Sequence, residues 1–186
     1  MKTAYETERL YLKILSPDNA GDVLSFLSYN KEIFEPYEPA KPSDYYTLDY
    51  QSKMLSAEYN GFLQSHYLRY YAIKKEDCSI IGTVSFSNIL PQPFDSCAIG
   101  YKIDKSNQRQ GYATEMLICM QNAMFNDFGI RRIEAYVLPQ NVPSINLLES
   151  LGYKNKGLSA KHLSVNGKIN HLYHYSLSLS LSRRLF

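Results

Sequence analysis

Apolar residues recur along the chain with two periods, and the alternation between them sketches an order of elements. Leu10, Leu12 and Ile14 alternate with Arg9, Tyr11 and Lys13 across residues 7–15, the period of two of a half-buried strand. Ser16-Pro17-Asp18 then offers an N-cap with proline at the first helical position, and a helix is predicted through Val23, Leu24 and Leu27. Phe34-Glu35-Pro36-Tyr37-Glu38-Pro39 is punctuated by proline, which predicts a loop or a short broken helix. A second helix is expected over residues 44–60, with Gly61 past its end. Strands are expected at 67–75 and 79–88, joined by a turn at Asp77-Cys78, with Gly82 as a break inside the second. Gln92-Pro93 marks another turn, and a short strand follows at 96–103.

The period then changes. Ala113, Met116, Leu117, Met120, Ala123, Met124 and Phe128 stand three and four apart across residues 111–128, the stripe of an amphipathic helix, and Gly129 sits where a left-handed C-terminal residue belongs. Ile133, Ala135 and Val137 return to period two over 131–138, and Pro139 ends that strand. Asn141 is placed to cap a helix with Pro143 in its first turn, a buried stripe of Ile145, Leu148 and Leu151, and a stop at Gly152. Strands at 153–158 and 169–181 close the chain, the last alternating Leu177, Leu179 and Leu181 with serines. The order is β-α-α-β-β-β-α-β-α-β-β. A strand–helix–strand–helix run over 96–151 demands a parallel pair near the middle of the sheet, and the hairpins on either side make the rest antiparallel. The fold class is mixed α+β (α/β), a single domain over residues 1–186, with about seven strands and helices on both faces.

Composition narrows the function classes. Apolar residues make up 45% and charged residues 20%, a globular balance, and the formal net charge of +2 gives no basis for nucleic acid or an anionic membrane as a partner. Three cysteines, Cys78, Cys97 and Cys119, with no C-x-x-C pair, support neither a disulfide framework nor a zinc knuckle. Glu6, Glu8 and Arg9 lie where a signal peptide would be apolar, and no stretch approaches the ~18–20 apolar residues of a membrane span. A cytoplasmic location is expected. His171 and His174 fall on opposite faces of a strand, and His66 and His162 are isolated, so no metal site is expected. Most of the 17 tyrosines are expected to be half-buried structural residues, with a few free to line a pocket.

The candidate chemistry begins at Gln108-Arg109-Gln110-Gly111-Tyr112-Ala113, between a strand and a helix. A helix start with a glycine at the point of closest approach and an alanine in the first turn can present backbone N–H groups and the positive end of the helix dipole to a diphosphate. No Lys-Ser/Thr follows, so the loop is not a Walker A loop, and no G-x-G-x-x-G is present. Q-x-x-G-x-A followed by Thr114-Glu115 resembles the pyrophosphate loop of GNAT acetyltransferases. Asn141-x-x-Ser144-x-Asn146, running to Leu151-Gly152-Tyr153, resembles the second half of that family's cofactor site. Thr7-Glu8-Arg9-Leu10, Pro36-Tyr37-Glu38-Pro39 and Gly82-Thr83-Val84-Ser85-Phe86-Ser87-Asn88-Ile89 are similar to segments of its ribosomal-protein branch, the RimJ/RimL group. The resemblance spans residues 7–178 and implies a splayed central strand pair, acetyl-CoA as co-substrate and no metal.

It also implies residue roles. The acyl and pantetheine portion would lie along Ile99, Tyr101 and Ile103, held by backbone amides, whereas the residues alone read equally as a core strand. Gln108, Arg109, Gln110, Gly111, Tyr112 and Ala113 would hold the diphosphate, with Asn141, Ser144 and Asn146 completing the cofactor site. Asn141 would anchor pantetheine and Ser144 would assist the leaving thiolate; by type alone they are a helix cap and a first-turn residue. The family's frequent strand glutamate is missing between Ala98 and Lys102, where only Asp95 and Asp104 flank. Glu38 is the remaining candidate carboxylate, to attract the substrate ammonium or relay its proton through water. The expected acceptor is the α-amine of a protein N-terminus beginning with Ala or Ser, such as a ribosomal protein, reached by direct transfer. The alternative is a small-molecule amine: a polyamine, amino sugar or amino-acid-like compound. A groove lined by Tyr37, Tyr45 and Tyr46 would favour a peptide, and a closed acidic pocket a polycation. The assembly is expected to be a monomer or homodimer.

Overall fold

The computed structural model describes residues 2–165 and 168–179; Leu181 and the side chain of His162 lie outside what it describes. Eight strands form one sheet: β1 (Ala4–Glu6), β2 (Leu10–Lys13), β3 (Leu68–Lys74), β4 (Ile80–Leu90), β5 (Ser96–Ile103), β6 (Arg132–Val137), β7 (Lys154–Val165) and β8 (Lys168–Ser178). Their spatial order is β1-β2-β3-β4-β5-β6-β8-β7. Among the described residues five α-helices accompany them: α1 (Ala20–Tyr29), α2 (Lys31–Phe34), α3 (Leu48–Leu63), α4 (Tyr112–Asn126) and α5 (Val142–Ser150).

The eighth strand, β1, precedes the first expected one, of which β2 keeps Leu10–Lys13. Thr7 turns the chain back, its N–H donating to the Leu10 carbonyl at 2.9 Å and its hydroxyl accepting from the Leu10 N–H at 3.0 Å. Residues 7–9 fall within the expected strand, but the hydrogen bonds at Thr7 close a hairpin, so β1 pairs antiparallel with β2. Gly82 lies inside the strand expected at 79–88. It stays within β4, between Ala72 and Ile103, and a Cβ there would stand 2.7 Å from the Lys102 carbonyl. The glycine admits close approach of β5.

Side-chain alternation sends the two sheet faces to different helices. Leu68, Tyr70 and Ala72 of β3 pack with Met116, Leu117, Met120 and Met124 of α4 in the larger core. Tyr71, one residue on, packs with Val23, Phe26 and Leu27 of α1 and Leu55 of α3. Met116, Leu117, Met120 and Met124 are fully buried. Truncating one of them to alanine would cost about 2–5 kcal/mol, so α4 and the loop that opens it are held firmly against the sheet.

The parallel pair is β5–β6, and it is short. Ser96, Cys97 and Ala98 register with Arg132, Ile133 and Glu134, after which the pairing ends. β5 continues to Ile103 and β6 to Val137. α4 follows β5 and α5 follows β6, so both helices start at the diverging end. The gap leaves the β6-facing edge of Ile99–Ile103 without a strand partner.

Candidate active site

A cavity of about 930 Å³ occupies the splay and reaches both sheet faces. At one end it is lined by Gln108, Arg109, Gly111 and Ala113. Arg109 has φ 58° and Gly111 φ 84°, both left-handed. Successive N–H groups in such a turn form an anion-binding nest, here at the start of the 15-residue helix α4. A side chain at Gly111 would adopt a strained φ, and its Cβ would lie 3.3 Å from Arg9 Nη2. The backbone therefore suits a diphosphate, and the positive φ favours glycine there. Two expected loop residues do not line the cavity. Tyr112 is buried beneath the Arg9 guanidinium, 4.2 Å from its ring centroid, and the exposed Gln110 side chain donates to the Ser106 carbonyl at 2.8 Å.

Midway, Ile99, Tyr101 and Ile103 of β5 meet Asn141, Ser144 and Asn146 at the start of α5. The Tyr101 hydroxyl stands 2.7 Å from Ser144 Oγ. Burial pushes the Tyr101 phenol up to about 12, against the opposing effect of its bond to Ser144. Asn141 accepts from the Ser144 N–H at 3.3 Å, which makes it the cap of α5 and fixes Ser144 at the same time. The cap uses Oδ1 alone and leaves the Nδ2 donors for a ligand.

The other end is walled by Tyr37, Glu38, Lys41, Tyr45, Arg69 and Lys102. Glu38 is ion-paired with Lys102 and, at 2.7 Å, with Lys41. Burial works against its charge, but the two lysines outweigh it and hold the carboxyl below its usual range. Glu38 is therefore charged, occupied and a poor base. Arg69 is bound by Glu58 of α3 at 2.5 Å, and Glu58 also accepts the Tyr71 hydroxyl at 3.0 Å. Tyr37 and Tyr45 line the wall, whereas the Tyr46 hydroxyl donates to Glu35 at 3.0 Å. Of the two aspartates flanking the bare strand, Asp104 is buried and takes hydrogen bonds from Asn30, Ser106 and Asn107 at 2.8–2.9 Å, a joint between α1 and the loop.

The expected cofactor residues thus gather in one cavity apart from Gln110 and Tyr112, and Glu38 faces them from the far wall. The sequence did not reveal the Tyr101 side chain, Lys41, Arg69 or Lys102 as site residues. One signal was present: a lysine at 102 between Tyr101 and Ile103 marks a polar second face on a strand otherwise suited to the core.

Residues 9–154 match the family of the acetyltransferase (GNAT) domain. A probable N-acetyltransferase of Bacillus subtilis, YjcK, is 31% identical over 159 residues, covering 85% of this chain and 87% of the relative. The [ribosomal protein uS5]-alanine N-acetyltransferase of Escherichia coli is 26% identical over 169 residues, covering 90% and 86%. Mycobacterium smegmatis RimJ, solved in complex with CoA-disulfide, superposes with a TM-score of 0.90 at 20% identity, covering all of this chain and 90% of that one. Among the described residues no helix is long and apolar enough to cross a membrane.

Proposed function

The chain belongs to the GNAT acetyltransferase family, and on that premise we propose that it transfers an acetyl group from acetyl-CoA directly to the N-terminal α-amine of a protein. Acetyl-CoA is the co-substrate, and it supplies the activated acyl group. Arg109 and Gly111 would hold its diphosphate, and Asn141 and Asn146 its pantetheine arm. Relatives named for acetylating a ribosomal-protein alanine support an N-terminal acceptor, as would be met in the cytoplasm.

The observation that carries the acceptor reading is the engagement of Glu38 by Lys41 and Lys102. With that carboxylate bound and Asp104 buried in its own network, the cavity offers no buried carboxylate free to act as base; Glu32, which also lines it, is exposed. An amine that is already partly neutral needs none. An α-amine with pKa ~7.8 is neutral roughly a fifth of the time at about pH 7.2, and a lysine with pKa ~10.4 less than about 0.1%. The cationic wall adds to this, because nearby positive charge favours the neutral amine over the ammonium.

Tyr101 and Ser144 are the pair for the leaving group. A phenol near 12 stays protonated throughout the working range of the enzyme. Full proton transfer from it to a thiolate of pKa ~8.5 is uphill. The pair therefore stabilises the thiolate by hydrogen bonding, while the proton lost by the acceptor nitrogen balances the thiol. Among the described residues no cysteine lines the cavity, in keeping with direct transfer. The test is thiol release from acetyl-CoA with Ala- and Ser-starting peptides, an N-blocked lysine peptide and spermidine. Faster turnover of the free-N-terminus peptides is expected; a preference for spermidine or the blocked lysine overturns the acceptor reading.

A further inference from the structure

The acceptor wall carries more positive than negative charge, and it lies on a defined face of the sheet. Cross-strand register aligns Arg69, Ser85 and Gly100, and beside them Tyr71, Thr83 and Lys102. These residues face α3, whereas Ile99 and Tyr101 point to the α4 side. Lys102 is thus one residue along β5 from Tyr101 and on the opposite face. Lys41, from the loop before α3, joins Lys102 and Arg69 in the cavity wall.

Three cations are set against two carboxylates there. Glu38 is shared by Lys41 and Lys102, and Glu58 serves Arg69. Within the buried wall the balance is one positive charge; the count leaves out Glu32, which is exposed to solvent. The side chains of Lys102, Lys41 and Arg69 are 17%, 19% and 27% exposed, so solvent screens this charge less than it would a surface lysine. Aromatic rings fix the cations in place. Lys102 lies 4.9 Å from the Phe34 centroid, Lys41 4.8 Å from that of Tyr45 and Arg69 5.4 Å from that of Tyr67. Glu32 lines the mouth of the cavity from an exposed position.

Resting on the reading that a peptide N-terminus enters this cavity, we propose that the Lys41–Lys102–Arg69 wall selects acceptors with a carboxylate close to the amine, as an Asp or Glu side chain at the second or third residue. An amine in the splay near Tyr101 and Ser144 puts the next residues, at ~3.3 Å each, on the side where Lys102 and Arg69 stand. A carboxylate there fills the one unmatched charge. A polyamine meets a wall whose net charge is positive and is disfavoured there.

The experiment compares kcat/KM for Ala-Glu-, Ala-Gln- and Ala-Lys-starting peptide amides of otherwise identical sequence, with free glutamate and spermidine as further arms. The Glu peptide is expected to exceed the Gln peptide by about fivefold and the Lys peptide by about 30-fold, with the preference shrinking in 0.5 M salt. In Lys41→Gln the Glu-over-Lys preference should fall at least threefold, with the acetyl-CoA dissociation constant unchanged as the check on folding. Equal rates for the three peptides overturn the carboxylate proposal alone. Spermidine as the best acceptor overturns both it and the N-terminal reading. Free glutamate as the best acceptor supports carboxylate selection and overturns the protein acceptor.

Discussion

Arg9 Nε lies 2.7 Å from a carboxylate oxygen of Glu115, a contact that spans 106 residues and ties the start of β2 to the first turn of α4. The same guanidinium donates to the Gln110 carbonyl at 2.9 Å, and Arg9 N and the Thr7 hydroxyl donate to the other Glu115 oxygen at 2.8 and 2.6 Å. The first hairpin therefore clasps the phosphate loop from behind. Burial opposes the Glu115 charge, but the bonds from Thr7 and Arg9 outweigh it and hold the carboxyl below its usual range.

If this clasp sets the loop, Arg9→Ala should weaken acetyl-CoA binding by about tenfold, or about 1.4 kcal/mol, with kcat at saturating acetyl-CoA changed much less. Arg9→Lys keeps the charge but cannot reach Glu115 and the Gln110 carbonyl in one planar fork, so at least half the loss should remain. Isothermal titration with CoA on the folded variants measures both. An Arg9→Ala protein that binds like the parent would show that the hairpin plays no part in positioning the loop.

At Gly111 two effects can be separated. Gly111→Ala forces a Cβ residue into φ 84° and brings its Cβ to 3.3 Å from Arg9 Nη2. A stability loss of about 1–2 kcal/mol is expected in urea melts. Gly111→Asp adds negative charge where the diphosphate would lie, and acetyl-CoA affinity should drop at least tenfold further than in Gly111→Ala. Equal affinities for the two folded variants would remove the diphosphate from this loop.

Which parts of this were legible in the sequence follows from the range of the interactions. Helix α4 and strands β5 and β6 declare themselves by period, because each buries one face along its own length, and the Gln108–Ala113 loop is a contiguous motif. The hairpin at Thr7 was hidden, since residues 7–9 lead straight into the alternation of Leu10, Leu12 and Ile14 and only hydrogen bonds turn the chain there. The Arg9–Glu115 clasp, the Tyr101–Ser144 contact and the lysines around Glu38 join residues 106, 43 and up to 64 positions apart. No local spacing encodes such pairs. Glu38 stood out by motif, but its partners, which decide its charge and basicity, come from the next loop and from β5.

Tyr101 and Ser144 should behave as one unit. Ser144→Ala and Tyr101→Phe are each expected to lower kcat by roughly 10- to 100-fold, with acetyl-CoA affinity within about twofold of the parent. The double variant should be little worse than the worse single one, because each hydroxyl acts through the other at 2.7 Å. Single-turnover rates with a saturating Ala peptide measure this. Multiplicative losses would mean that the hydroxyls act separately, and a Ser144→Ala kcat within twofold of the parent would reduce that residue to the first turn of α5.

The pH dependence decides whether the enzyme or the acceptor supplies the neutral nitrogen. With Glu38 held below the usual carboxylate range by Lys102 and Lys41, its charge is present from neutral pH down through the mildly acidic region. The stability that this ion pair contributes is complete above the unfolded pKa of Glu38 and is lost only as pH falls through its lower folded value. Glu38 therefore adds no inflection between about pH 6 and 9. The profile of kcat/KM should rise with unit slope and level off near the pKa of the acceptor amine, about 7–8 for an Ala peptide. For an N-blocked lysine peptide the same limb should move toward about 10. In Glu38→Gln the Ala-peptide limb should keep its midpoint, although the uncompensated lysines will change KM. Glu58, which burial pushes up, is untouched by that substitution and serves as an internal control for other carboxylates. A limb that stays at one pH for both acceptors and disappears in Glu38→Gln would identify Glu38 as the general base and overturn the reading that its two lysines have taken it out of that role.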